Sequence, residues 1–234
     1  MAMIAEPITR ASSRGPAGTE AAAKANYRRQ LVVERIYKRA VDHYVTRAME
    51  EGSEREPYAR MLYEAEILQA PVTQIGFALH PEWDFFGCSP DGICGDKGGV
   101  EFKCPTDEVH DGYCQDLNSF IEKYKGQSLA GLICFPEFDW WDQYSFSPFA
   151  PDTIKLVGYR FHRSDWAETI QKIQDAALEF NGEVEAIIAA RGLPPTVWDV
   201  MPDCRVPKPE ETGRLEGQDY IDSLADVVGE EIMP

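Results

Sequence analysis

Between Ser89 and Cys104 the chain has little choice of conformation. Val100-Glu101-Phe102-Lys103-Cys104 reads as a β-strand, in which successive side chains point to opposite faces. Glu101 and Lys103 therefore project together from one side, and Val100, Phe102 and Cys104 from the other. The preceding Gly95-Asp96-Lys97-Gly98-Gly99 is a hairpin connection that folds Ser89-Pro90-Asp91-Gly92 back against this strand. Two acids and a lysine then meet on a rigid element.

The flanking chain supplies helices and further strands for a sheet. The first twenty residues are small, polar and Gly/Pro-containing and read as a mobile arm. From about Thr19 to Glu51, Tyr27, Leu31, Val32, Ile36, Tyr37, Ala40 and Tyr44 form the apolar stripe of a long amphipathic helix, with a break expected near Val41 to Tyr44. Gly52 is expected to stop it and Ser53 to cap a second helix through Glu56 and Leu62. Strands are expected over Val72–Leu79, Trp83–Cys88, Trp140–Phe146 and Ile154–His162. Helical patterns cover Tyr113–Asn118 weakly, Phe120–Cys134 strongly, and a last segment from a Ser164-Asp165 cap to about Ala190. Past Gly192 the chain turns Pro- and acid-rich. The pattern is an α/β architecture, a central mixed sheet flanked by helices, with an arm over 1–20, a main domain over 21–192 and an acidic tail over 193–234.

With 234 residues and 44% hydrophobic content, the chain can build one sizeable core. No stretch approaches the roughly 18 apolar residues of a membrane helix, and no basic segment with an apolar run opens the sequence, so an intracellular, cytoplasmic protein with no membrane partner is expected. The six cysteines form no CxxC pair and no Cys/His zinc spacing, and read as free thiols. The net charge of −17 argues against a polyanionic partner. It is unevenly spread: residues 1–47 carry nine bases against four acids, and residues 201–234 three bases against nine acids. A local basic surface on an acidic protein is compatible with that asymmetry.

Phosphodiester hydrolysis needs an oriented water, charge on the scissile phosphate and help for the leaving oxygen, and divalent metal supplies all three. Magnesium prefers hard oxygen ligands and keeps several waters, so two or three carboxylates suffice. A nearby lysine can orient or deprotonate the water, or bind the phosphate as an ammonium. Glu-x-Lys alone is an ordinary ion pair on a strand; Pro90-Asp91 ten residues ahead of Glu101-x-Lys103 is the signature of PD-(D/E)xK nucleases. Within that superfamily the sequence resembles the lambda exonuclease family of phage alkaline exonucleases, or viral recombinase nucleases. The resemblance rests on Gly52-x-x-x-Glu56 with Ala59-Arg60 and Tyr63-Glu64, on Cys88-Ser89-Pro90-Asp91-Gly92, on Glu101-x-Lys103-Cys104-Pro105 and on Tyr124-x-x-Gln127, in that order.

The resemblance implies a restriction-endonuclease-like core and a magnesium-dependent exonuclease. Such an enzyme uses two metal ions, with manganese as a substitute, and degrades one strand of duplex DNA from a 5′-phosphate end. It implies a homotrimeric ring, a single-strand annealing partner, and phage or prophage origin in a bacterial host. Asp91 and Glu101 would be metal ligands, with the Phe102 carbonyl a further one and Glu56 a third acid acting directly or through water. Lys103 would activate the water, Gln127 would hold the nucleophile or the substrate strand, and Ser89 would contact the 5′-phosphate. Arg10 and Ser12 are candidates for the same phosphate. Leu129 stands where the family often has a second glutamine, and an arginine expected before Arg10 is missing. Two other readings are a Cas4-type or structure-specific nuclease, whose iron–sulfur ligands the scattered cysteines do not provide, and a non-catalytic acidic partner of a recombination protein.

Overall fold

The structure, a computed structural model, describes residues 22–39 and 46–195. The arm with Arg10 and Ser12, and the tail beyond Pro195, lie outside the described residues, as does the expected helix break near Val41 to Tyr44.

The four-stranded sheet runs β3 (Gly92–Cys94), β4 (Gly98–Lys103), β5 (Trp140–Phe146) and β6 (Leu156–His162) in spatial order. β3 and β4 form the expected hairpin, with Gly92 opposite Val100. Gly95, at φ +58°, makes the turn. Gly98 and Gly99 serve another purpose: they lie inside β4, where a Cβ on either would collide with the Trp140 or Trp141 indole. β4 and β5 are parallel, which requires a crossover. That crossover is α3 (Asp107–Gln115) and α4 (Leu117–Cys134). β5 and β6 are antiparallel, so the sheet is mixed.

Helices cover both faces. Leu129, Leu132 and Ile133 of α4 pack with Trp141 and Phe161 on one face, together with Ile170 and Ala177 of α5 (Ala167–Ala189). On the other, Ala59 and Tyr63 of α2 (Arg47–Tyr63) meet Val100, Phe102 and Phe146. α1 (Ala22–Tyr37) lies against α5 through Val32, Phe180, Val184 and Ile188.

Several boundaries differ from expectation. Gly52 does not stop a helix and Ser53 caps none. α2 starts at Arg47 under a Thr46 cap and runs through Gly52 and Pro57, because packing of Ala59 and Tyr63 on β4 outweighs two poor helix formers. Val72–Leu79 is mostly irregular: only β1 (Ala78–Leu79) pairs with β2 (Gly87–Cys88), and Thr73 bridges Ile93. Trp83, Phe85 and Phe86 pack as an aromatic cluster with His80 instead of extending as a strand. The weak helix at Tyr113–Asn118 is displaced to α3, β6 begins at Leu156, and α5 starts after Trp166 with no side-chain cap. Cys94 and Cys134 are buried and Cys88, Cys104 and Cys114 half-buried, all as free thiols.

Candidate active site

β3 is shorter than β4, and the difference makes the site. Past Gly92 the chain leaves the ladder at Asp91, and the Asp91 carboxylate replaces the missing strand by accepting the Phe102 backbone N–H at 2.6 Å. A strand residue directs its N–H and C=O to the same side, so the Phe102 carbonyl also faces the gap beyond β3. Glu101, 5% exposed, points toward α4. Its Oε1 accepts from Lys103 Nζ at 2.9 Å and from the Gln127 side-chain amide. The strand alternation that pairs Glu101 with Lys103 on one face is thus realised, and α4 brings Gln127 to the same oxygen.

Glu56 lies on α2, which packs on the Val100 and Phe102 face of the sheet. It is half-buried, and its charge acts on Glu101, on Arg60 and on Cys104. Ser89 is exposed two residues before Asp91. Burial pushes the Glu101 carboxyl up to about 7, aided by the Asp91 and Glu56 charges and opposed by Lys103. Burial also raises Asp91, against its bond from Phe102 N–H and the nearby Lys103 and Arg60 cations. A concavity of about 460 Å³ between Arg35, Phe85 and Glu185 is lined by none of these residues.

The family model of the YqaJ-like viral recombinase domain matches residues 11–134. The chain belongs to that family. The crystal structure of an alkaline exonuclease, LHK-Exo, from Laribacter hongkongensis superposes with a TM-score of 0.66 at 31% identity, covering 74% of this chain and 86% of that one. The same exonuclease in complex with dAMP gives 0.62 at 28% identity, covering 74% and 88%. A phage-related exonuclease from Haemophilus somnus 129PT shares the fold at 13% identity, with a TM-score of 0.57 over 81% and 92%. Comparison with curated proteins returns no match. The sequence resemblance is borne out: this YqaJ-like chain is a nuclease of the viral recombinase kind on a restriction-endonuclease-like fold. No described helix is long and apolar enough to cross a membrane.

The donor set of this family member suits a hard divalent cation. Asp91 and Glu101 are oxygen donors whose charged forms burial and mutual repulsion disfavour, and a cation between them removes that cost. Among the described residues no three acids, cysteines or histidines already converge as a closed metal cluster. Two carboxylates plus waters is a shell magnesium accepts.

Three groups in or near the site were not assigned from sequence. Arg60, quoted only as part of a motif, stands in the field of Asp91, Glu64 and Glu56 with a buried Nε lacking a hydrogen-bond partner among the described residues. Tyr124 carries the Lys103 ammonium 5.7 Å from its ring centroid. Behind β4, Asp142 is fully buried, accepting from Arg160 twice at 2.7 Å and from the Tyr63 hydroxyl at 2.6 Å. The last had a visible signal: an acid in the middle of Trp140–Phe146 and a base in the middle of Leu156–His162 are charges placed where strands are buried.

Proposed function

We propose that the chain is a magnesium-dependent 5′-to-3′ exonuclease of double-stranded DNA, releasing mononucleotides and leaving 3′ single-stranded tails for recombination by strand annealing. The observation that carries the reading is the convergence of Asp91, Glu101, Lys103 and Gln127 at the open end of the β3–β4 hairpin. Asp91, Glu101 and the Phe102 carbonyl would hold the metal, with Glu56 acting directly or through water. Magnesium, or manganese in its place, would supply positive charge at the phosphate oxygens and ease deprotonation of the attacking water.

The chain's own residues do the rest. Lys103 Nζ, bonded to Glu101 at 2.9 Å, would orient the attacking water and take its proton, or would hold a phosphate oxygen as an ammonium. Gln127 keeps the Glu101 carboxylate in one rotamer. Ser89, exposed two residues before Asp91, would meet the terminal 5′-phosphate, and Arg10 and Ser12 of the arm would bind the same group. That LHK-Exo binds dAMP, a deoxynucleoside monophosphate, fits release of mononucleotides. A homotrimeric ring enclosing the duplex, a single-strand annealing partner and phage or prophage origin in a bacterial cytoplasm complete the reading.

The test is digestion of three linear duplexes carrying 5′-phosphate, 5′-hydroxyl or hairpin-closed ends, with and without Mg²⁺. The expected order is fast, slow and none, with no digestion in chelator. Asp91→Asn, which keeps an acceptor for Phe102 N–H, and Lys103→Ala are each expected to lose at least about 10³-fold in rate. Cutting of closed-end duplex would overturn the exonuclease reading, and full activity in either variant would overturn the mechanism.

A further inference from the structure

Beside the Lys103 ammonium stands a second one that the proposed chemistry does not use. Lys123 on α4 donates from Nζ to the Tyr113 hydroxyl at 2.6 Å and lies 5.3 Å from the Tyr113 ring centroid and 5.1 Å from that of Tyr124. The Tyr124 ring also carries Lys103 Nζ at 5.7 Å. Two ammonium groups within 5.1 and 5.7 Å of one centroid cannot be more than 10.8 Å apart.

The position is built. Tyr113 is 6% exposed and packs on the fully buried Phe120 at 5.0 Å, and the Tyr113 and Tyr124 hydroxyls lie 3.4 Å apart. A lysine normally keeps four rotatable bonds free in water; here phenol oxygen and ring faces restrain it. Its partners are also unusual in this protein. Lys24, Lys125, Lys155 and Lys172 each pair with a carboxylate. Among the described residues no carboxylate lies within ion-pair distance of Lys123, in a chain of net charge −17. Phenols and rings hold an ammonium in place without neutralising it, so its charge remains available to an anion. The bond to Tyr113 raises the Lys123 pKa and keeps it cationic.

We propose that Lys123 binds a backbone phosphate flanking the scissile bond, with Tyr113 and Tyr124 as its mount and Lys103 at the neighbouring position. The two cations sharing one ring then follow the phosphates of one strand: Lys103 serves the reacting centre and Lys123 fixes the register of the strand. This rests on the nuclease reading above.

The experiment measures the affinity of the full chain for a 5′-phosphorylated duplex by anisotropy in chelator, across a salt series. Lys123→Ala should weaken binding about 3–10-fold at 0.1 M salt and reduce the slope of log affinity against log salt by about 0.7–0.9, the contribution of one phosphate contact. Lys123→Arg should restore the slope. Lys172→Ala, removing the same charge from a 70% exposed side chain on α5, should leave it unchanged. Duplexes with a neutral methylphosphonate at either flanking position should bind wild type more weakly, and at one of them Lys123→Ala should show no further loss. An unchanged slope in Lys123→Ala, an equal drop in Lys172→Ala, or undiminished sensitivity of Lys123→Ala to both methylphosphonates overturns the inference and leaves the nuclease reading standing. A wild-type protein that neither binds nor digests DNA ends both.

Discussion

In the proposed mechanism Gln127 acts through Glu101. It donates to Glu101 Oε1, the oxygen that also receives Lys103, so its removal frees the carboxylate to rotate. Gln127→Leu should lower kcat about 10–100-fold with little change in KM, as steady-state digestion would show. Asp142 is the structural counterpart. Removing Arg160 leaves a fully buried carboxylate with only the Tyr63 hydroxyl, so Arg160→Met should cost about 2–3 kcal/mol in denaturant unfolding. Tyr63→Phe, which leaves both Arg160 bonds, should cost about 1–2 kcal/mol. Cys94 lies against the same cluster, and burial pushes its thiol up to about 12 from 9.0. The unfolded chain releases that proton first, so stability falls as pH rises from about 9 to 12. At pH 8 the thiolate fraction is about 1,000-fold below that of an unperturbed thiol, and mass-mapped alkylation should find Cys94 protected until the protein unfolds. Asp91, Glu101 and Lys103 were legible because a strand's two-residue period and a hairpin turn suffice to bring them together. Lys123 and Tyr113 were not, because their meeting depends on how α3 and α4 pack.

At the scale of elements, β4 and α4 are locked to β5 through the two tryptophans. A Cβ at Gly131 would come within 2.6 Å of the Trp141 indole, and Trp141 is 1% exposed. Gly131→Ala should destabilise by about 1–3 kcal/mol in thermal or denaturant unfolding. Since α4 carries Gln127, loss of activity should accompany it at temperatures where the protein remains folded. The Gly98-Gly99 pair reads in sequence as turn chemistry, whereas it is strand backbone cleared for indole rings. Local propensity names the residue type, and only the neighbouring strand shows why it is needed. The α2 boundary has the same origin: Gly52 and Pro57 favour helix ends locally, but the contact of Ala59 and Tyr63 with β4 decides.

For the whole molecule, charge distribution bears on how an acidic chain can hold DNA. Three of the N-terminal bases are neutralised on α5, with Arg28 at 2.6 Å from Glu183, Lys24 at 3.4 Å from the same residue, and Arg35 paired with Glu185. These three bases therefore contribute little free positive charge to a DNA-facing surface. In the proposed ring, light scattering should give three times the 26.4 kDa chain mass, and a 26.4 kDa species that retains processive digestion would rule the ring out. The sequence alone determined the family, the strand that carries Glu101 and Lys103, and the acid that returns to it. Those follow from short-range rules: period two along a strand, glycine at a turn, motif order along the chain. Only the tertiary structure decided that Asp91 closes the edge of β4 at Phe102, that Gln127 of α4 bonds Glu101, and that Lys103 and Lys123 both lie near the Tyr124 ring. Each depends on the relative placement of layers, which side-chain packing sets over long separations and which no local pattern encodes.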